Sequence, residues 1–171
     1  MKTSRITRRD AIKTTAAVTA GIVSNPRFAF AGGQRATMRV GVIGCGGRGT
    51  GAAANCVESS EGVEIVSMGD LFADRLASSR RQLADQLGTA FKVNNDTAFT
   101  GYDAFENVLA TDIDMVILAT PPAFRPQHLR AAIDAGKNIF TEKPIAVDPI
   151  GVRLVIEASE IAKEKGLAIV A

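Results

Sequence analysis

The chain has 171 residues, 46% of them hydrophobic and 22% charged, which allows one domain with a real core and speaks against disorder beyond the N-terminus. Its formal charge of +2 misleads, because Lys2, Arg5, Arg8, Arg9, Lys13 and Arg27 precede residue 32 against one acid, Asp10; the remainder carries 14 basic and 17 acidic side chains, a net of −3. No basic patch argues for nucleic acid, and two cysteines, Cys45 and Cys56, with no Cys/His cluster at ligand spacing, argue for neither a disulfide framework nor a metal site.

Residues 1–31 read as an export address. A basic start is followed by a weakly apolar run from Thr14 to Val23 and by Ala29-Phe30-Ala31, a small-x-small cleavage pattern. The run falls short of the roughly 20 apolar residues that span a bilayer, so no stable membrane anchor is expected. Within it "TRRDAIK" resembles the twin-arginine signal, with Ala11-Ile12 where that signal carries Phe-Leu. The resemblance implies the twin-arginine export machinery as a partner and the periplasm as destination. That route carries folded proteins, which suits a protein that takes up a cytoplasmic nucleotide before export.

From Met38 the pattern becomes a nucleotide fold. Arg39 to Ile43 is a compact β run, followed by Gly44-Cys45-Gly46-Gly47-Arg48-Gly49, a G-x-G-x-x-G, and by an Ala-rich helix to about Val57. A second strand, Val63 to Met68, leads to Asp70, which lies 21 residues past Gly49. The first glycine serves the tight turn, the second lets a diphosphate approach the backbone, and the third allows close helix-sheet packing. The helix start offers unpaired N–H donors to phosphates. A carboxylate at Asp70 accepts from the ribose hydroxyls of the adenosine half and repels a 2′-phosphate, so NAD is favoured over NADP; Arg75, one helical turn on, softens that preference.

A helix then runs to Gly88, a weak strand is expected around Phe91 to Val93, and a helix near Tyr102 to Leu109. "DMVILAT" from Asp114 reads as a central parallel strand ending on Thr120-Pro121-Pro122, followed by a helix stopped by Gly136. Asn138 to Thr141 is the next strand and runs into Glu142-Lys143-Pro144. Asp148 and Pro149 then open a helix whose apolar face is read as Val152, Val155, Ile156 and Ile161. "LAIVA" begins a sixth strand. The βαβα alternation predicts an α/β doubly wound parallel sheet in the order 3-2-1-4-5-6, spanning 38–171. Ligands of such sheets bind at the carboxyl ends of the strands. Gly44 to Gly49, Asp70, Thr120 to Pro122 and Glu142 to Pro144 all fall there, so Lys143 is expected to face the cofactor crevice rather than solvent.

On "GVIGCGGRGTG", "ATPPAFRPQHLRAAIDAGKNIFTEKP" and the export signal, the chain resembles the Gfo/Idh/MocA oxidoreductases (glucose-fructose oxidoreductase, inositol dehydrogenase, rhizopine catabolism). The resemblance runs from about Met38 to Ala171. It implies hydride transfer between NAD and a hydroxyl carbon of a sugar, cyclitol or related polyol. By match, Lys143 is the catalytic or substrate-positioning lysine, and Glu142 contacts cofactor or orients that lysine. The cofactor-binding set is then Gly44, Gly46, Gly47, Arg48, Gly49, Asp70, Thr120, Pro121, Pro122 and Glu142. His128, on the following helix, is assigned a packing or surface role rather than proton transfer. Family members carry a second α/β domain that supplies the substrate pocket and usually the oligomer interface. The chain is therefore expected to be the nucleotide-binding half, truncated, inactive alone and homo-oligomeric when whole. Two alternatives remain: a non-catalytic NAD-binding module, and an NAD-dependent redox-assisted glycosidase. An intact Glu-Lys-Pro favours the dehydrogenase.

Overall fold

Val40, Val42, Val116, Ile117 and Leu118 have essentially no exposure, which is what strands covered on both faces require and why their sequences are continuous apolar runs rather than alternating ones. The computed structural model describes residues 37–171, so the export reading of residues 1–31 lies outside the described residues. In chain order the elements are β1 (Met38–Ile43), α1 (Gly47–Ser59), β2 (Val63–Asp70), α2 (Ala73–Leu87), a 3-10 turn (Gly88–Ala90), β3 (Ala98–Thr100), α3 (Ala104–Ala110), β4 (Met115–Leu118), α4 (Arg125–Asp134), β5 (Asn138–Thr141), α5 (Pro149–Glu164) and β6 (Ile169–Val170).

All neighbours pair parallel, in the order β3-β2-β1-β4-β5-β6, as the sequence predicts. The register matters for the site. Ile43 stands level with Gly69 on one side and Leu118 on the other, and Leu118 with Thr141, so the turns after four strands open at one edge of the sheet. One face of the sheet packs Val40, Val42, Ile65 and Met68 against Ala53, Ala54, Leu76 and Leu83 of α1 and α2. The other packs Ile43, Val116, Leu118 and Ile139 against α3, α4 and α5. On that face Gly69 lets α3 press in: a Cβ there would stand 2.9 Å from a Val108 methyl and 3.0 Å from the Ala104 carbonyl oxygen. That approach carries Phe105 to the edge where the turns gather.

Two expectations need correction. The segment expected as a strand at Phe91 to Val93 makes only a single bridge, Phe91 to Ile65; the strand beside β2 is Ala98–Thr100. The reason is Asn94, whose Oδ1 accepts from the N–H groups of Asp96 (2.8 Å) and Thr97 (3.2 Å), a local turn that competes with the ladder. The apolar face of α5 is also different. Gly151, Val155, Ala158 and Ala162 are buried, while Val152 and Ile156 are 40% and 58% exposed. Small residues let the helix lie close: a Cβ on Gly151 would already stand 3.2 Å from Pro126 on α4. The cap is as predicted, with Asp148 Oδ1 accepting from Gly151 N at 2.6 Å.

Candidate functional site

The site begins with the turn between β1 and α1. Gly44 has φ +95°, a conformation that side chains resist, and a Cβ on it would lie 2.6 Å from the Thr120 nitrogen. A Cβ on Gly49 would lie 1.8 Å from the Gly44 carbonyl oxygen. These two glycines are therefore demanded by packing of the protein against itself. Gly46 and Gly47 are not: a Cβ on either meets no atom within 4 Å, and Gly46, at φ −73°, would tolerate one conformationally. Bare backbone facing open space, at the start of a helix with neither a side-chain cap nor an acid in its first turn, suits a ligand rich in negative oxygen.

Asp70, at the end of β2 and 8% exposed, ties this turn down. Its Oδ2 accepts from Cys45 N at 2.6 Å and its Oδ1 from Phe72 N at 2.9 Å. A carboxylate has about four acceptor positions, so two remain for hydroxyl donors. Burial, and then the adjacent Asp70 charge, pushes the Cys45 thiol up, and its Sγ donates to the Gly69 carbonyl oxygen; this cysteine is a packed, unreactive group. Arg75 stands over the Phe72 ring, 5.1 Å from its centroid, both at the same end of the cleft as Asp70.

The cleft has a volume of about 500 Å³, within the range of small-molecule sites. Of the residues singled out from sequence, Gly44, Gly46, Gly47, Arg48, Asp70, Thr120 and Pro121 line it. Gly49 packs behind the turn. Pro122 lies apart, in a separate groove against Val147 and Ile150, because the chain turns into α4 after Pro121. Glu142 and Lys143 are not in the lining. Glu142 reaches the cleft's mouth through its carboxylate, which pairs with Arg48 across 3.2 Å and links the glycine turn to the end of β5. Lys143, expected to face the crevice rather than solvent, is instead exposed and has no hydrogen-bond or ion-pair partner among the described residues, because β5 ends at Thr141 and the lysine stands in the turn beyond the strand. The Lys143–Pro144 peptide bond is cis.

The far wall is aromatic. His128 is buried and stacks on Phe105 (centroids 4.4 Å apart) and, more distantly, on Phe124 (6.1 Å). Its Nδ1 and the Thr120 hydroxyl are 3.1 Å apart. Burial pulls its pKa down to about 4, so at neutral pH the ring is an uncharged packing group and hydrogen-bond partner. Two contributors were not among the residues singled out as site candidates: Phe105, delivered by the close packing of α3, and Arg125, buried at the start of α4 with its guanidinium on the carbonyl oxygens of Thr120, Glu142 and Pro144. A cation where a helix start favours an acid was the available signal for Arg125.

Residues 38–171 match the model of an oxidoreductase family with an NAD-binding Rossmann fold. The chain is 34% identical over 131 residues to inositol 2-dehydrogenase 3 of Saccharopolyspora erythraea, covering 77% of this chain and 35% of that protein. It is 34% identical over 113 residues to a glycosyl hydrolase family 109 protein of Solibacter usitatus, covering 64% of this chain and 25% of that protein. The chain thus spans about a third or less of the length of these curated relatives. Among solved structures, scyllo-inositol dehydrogenase from Lactobacillus casei with bound cofactor NAD(H) and scyllo-inositol superposes with a TM-score of 0.61 at 21% identity, covering 78% of this chain and 35% of that one; the likeness is one of fold.

The two kinds of glycine separate in experiment. Gly49→Ala should destabilise by about 3 kcal/mol or more, whereas Gly46→Ala should stay within about 0.5 kcal/mol of the parent in urea unfolding. Gly46→Ala should nevertheless weaken NADH binding about tenfold, or roughly 1.4 kcal/mol; unchanged binding would mean that the open space above Gly46 holds no ligand.

For His128 the folded pKa lies below that of the unfolded chain, so the unfolded state takes up a proton first as pH falls. Its contribution is complete above about pH 6.5 and is lost toward pH 4, on the order of 3 kcal/mol at most. Unfolding curves across that window should be visibly flatter for His128→Phe, which keeps the stacking surface; parallel curves would contradict the assignment.

Proposed function

This chain belongs to the Gfo/Idh/MocA oxidoreductase family, and from that premise we propose that it is the nucleotide-binding part of an enzyme that moves a hydride between NAD and a hydroxyl carbon of a sugar, cyclitol or related polyol. The observation that carries the reading is the cleft. A glycine turn bare toward open space, a helix start without a cap and a buried carboxylate with spare acceptor capacity meet at the level ends of β1, β2 and β4. NAD is the cofactor that the matched family's fold binds.

In this reading the N–H groups of Gly46, Gly47 and Arg48 hold the diphosphate, and Asp70 accepts from the adenosine ribose hydroxyls. Asp70 also disfavours a 2′-phosphate, a preference that Arg75, which lines the same cleft, softens. Thr120 and Pro121 form the wall at the nicotinamide end. NAD, when bound, supplies the hydride acceptor. Lys143 holds the reacting oxygen of the alcohol, stabilises negative charge as it develops there, and takes part in moving the hydroxyl proton. Its exposure and freedom from partners support that role, since nothing in the domain competes for the ammonium. Glu142 orients the lysine or meets the cofactor once Arg48 turns to the phosphates.

The same proposal includes export by the twin-arginine route to the periplasm, supported by Arg8-Arg9 and Ala29-Phe30-Ala31. It includes homo-oligomer formation by the whole protein, for which Val152, Leu154 and Ile156 on α5 are available apolar surface. A second reading, a redox-assisted glycosidase using NAD, is favoured by the glycosyl hydrolase family 109 relative. Release of a reporter aglycone by a protein carrying a substrate domain would select it over the dehydrogenase.

Asp70→Asn should lower NAD affinity ten- to a hundredfold, the worth of a charged hydrogen bond of about 1.5–3 kcal/mol, and should erase discrimination against NADP in calorimetric titrations. Equal affinities for parent and variant would remove the ribose assignment. With a substrate domain present, Lys143→Met should lower turnover of a polyol by about 10² to 10⁴ while NADH still binds; unchanged turnover would remove the lysine from the mechanism.

A further inference from the structure

Arg125 is a buried cation beside the site, whose pKa burial lowers and the nearby Glu142 charge partly restores. It is 6% exposed, heads the first turn of α4, where the helix dipole disfavours a cation, and makes no ion pair among the described residues. Instead its guanidinium is spent on main chain. Nε donates to the Thr120 carbonyl oxygen at 2.7 Å, and Nη1 donates to the carbonyl oxygens of both Glu142 and Pro144.

Those three carbonyls belong to two different strand ends. Thr120 follows β4 and Glu142 to Pro144 follow β5, and the two carbonyls on the β5 side flank Lys143. The turn has few other restraints: Glu142 N donates to Leu118 O at 2.9 Å, continuing the ladder by one residue, and Ile145 packs on the core beyond. Between those anchors Arg125 holds the main chain on both sides of Lys143, with the Thr141 hydroxyl donating to the Glu142 carbonyl oxygen as well, at 3.4 Å. A planar fork with donors at Nε and Nη1 reaches both strand ends at once; a single ammonium does not.

We propose that Arg125 is a positioning residue for Lys143: it fixes the main chain on both sides of the lysine and its distance from Thr120, so that the lysine side chain leaves a preset backbone at the mouth of the cleft. The inference rests on the reading of Lys143 as the substrate-facing group. Arg125 lines the same cleft, and the role assigned to it is exercised through the main chain it holds.

The test uses the 171-residue chain, ¹⁵N-labelled, as Arg125→Lys and Arg125→Ala, with thermal unfolding as a check on folding and NADH titration alongside. In both variants the amide signals of Glu142, Lys143 and Ile145 should shift or broaden, by more than those of Gly46 and Gly47, which connect to Arg125 indirectly, through Thr120 against Gly44 and through the Arg48–Glu142 pair. Guanidinium at tens of millimolar should return the Arg125→Ala signals toward the parent, and sodium chloride at equal ionic strength should not. A folded Arg125→Lys with parental signals for residues 142–145 would overturn the proposal. So would failure of both variants to fold without guanidinium rescue, since Arg125 would then be a stability residue only. The outcome is distinguishable from failure of the cofactor reading, which would show as no NADH binding by the parent chain while the amide signals still report on Arg125.

Discussion

The site depends on one close contact. The Gly44 carbonyl sits where a side chain at Gly49 would begin, and the Thr120 nitrogen sits where a side chain at Gly44 would begin. No other residue type fits at either place, so the start of α1, the end of β1 and the end of β4 are locked into one edge. The parallel register then brings the ends of β2 and β5 level with them. Without that contact the helix start would stand away from the sheet, and its free N–H groups would face water rather than a cleft.

Polar groups around the edge are arranged by the same economy. Among the described residues, no buried side-chain nitrogen or oxygen lacks a partner. Asp70 is spent on the glycine turn and the turn after β2, Thr120 on His128, and Arg125 on three carbonyls. A frame satisfied in this way is preorganised, which is what orientation-dependent chemistry requires. Lys143 stands outside these networks, on a backbone that they hold.

Much of this was legible in the sequence because it depends on residue types with strong local signals. Apolar runs of strand length gave the sheet order, Asp148-Pro149 marked the start of α5, and the glycine spacing with Asp70 placed the turn. What was hidden depends on size and context. The buried stripe of α5 uses Gly151, Ala158 and Ala162, which carry little hydrophobic signal, so the larger Val152 and Ile156 misled. Asn94 diverts the chain with its own side chain and moves the edge strand to Ala98–Thr100. Pro122 looked like part of the site by adjacency alone, and Arg125 was not singled out, since nothing in a linear sequence shows which carbonyls a guanidinium will meet.

The central claim is that the glycine turn and Asp70 form a seat for NAD. It is tested most directly by adding NAD to the ¹⁵N-labelled chain and following its amide signals. The account predicts saturable shifts largest at Gly46, Gly47 and Arg48, with smaller ones at Asp70 and Thr120. Saturation with shifts elsewhere, or no shifts at high NAD concentration in the folded chain, would contradict it.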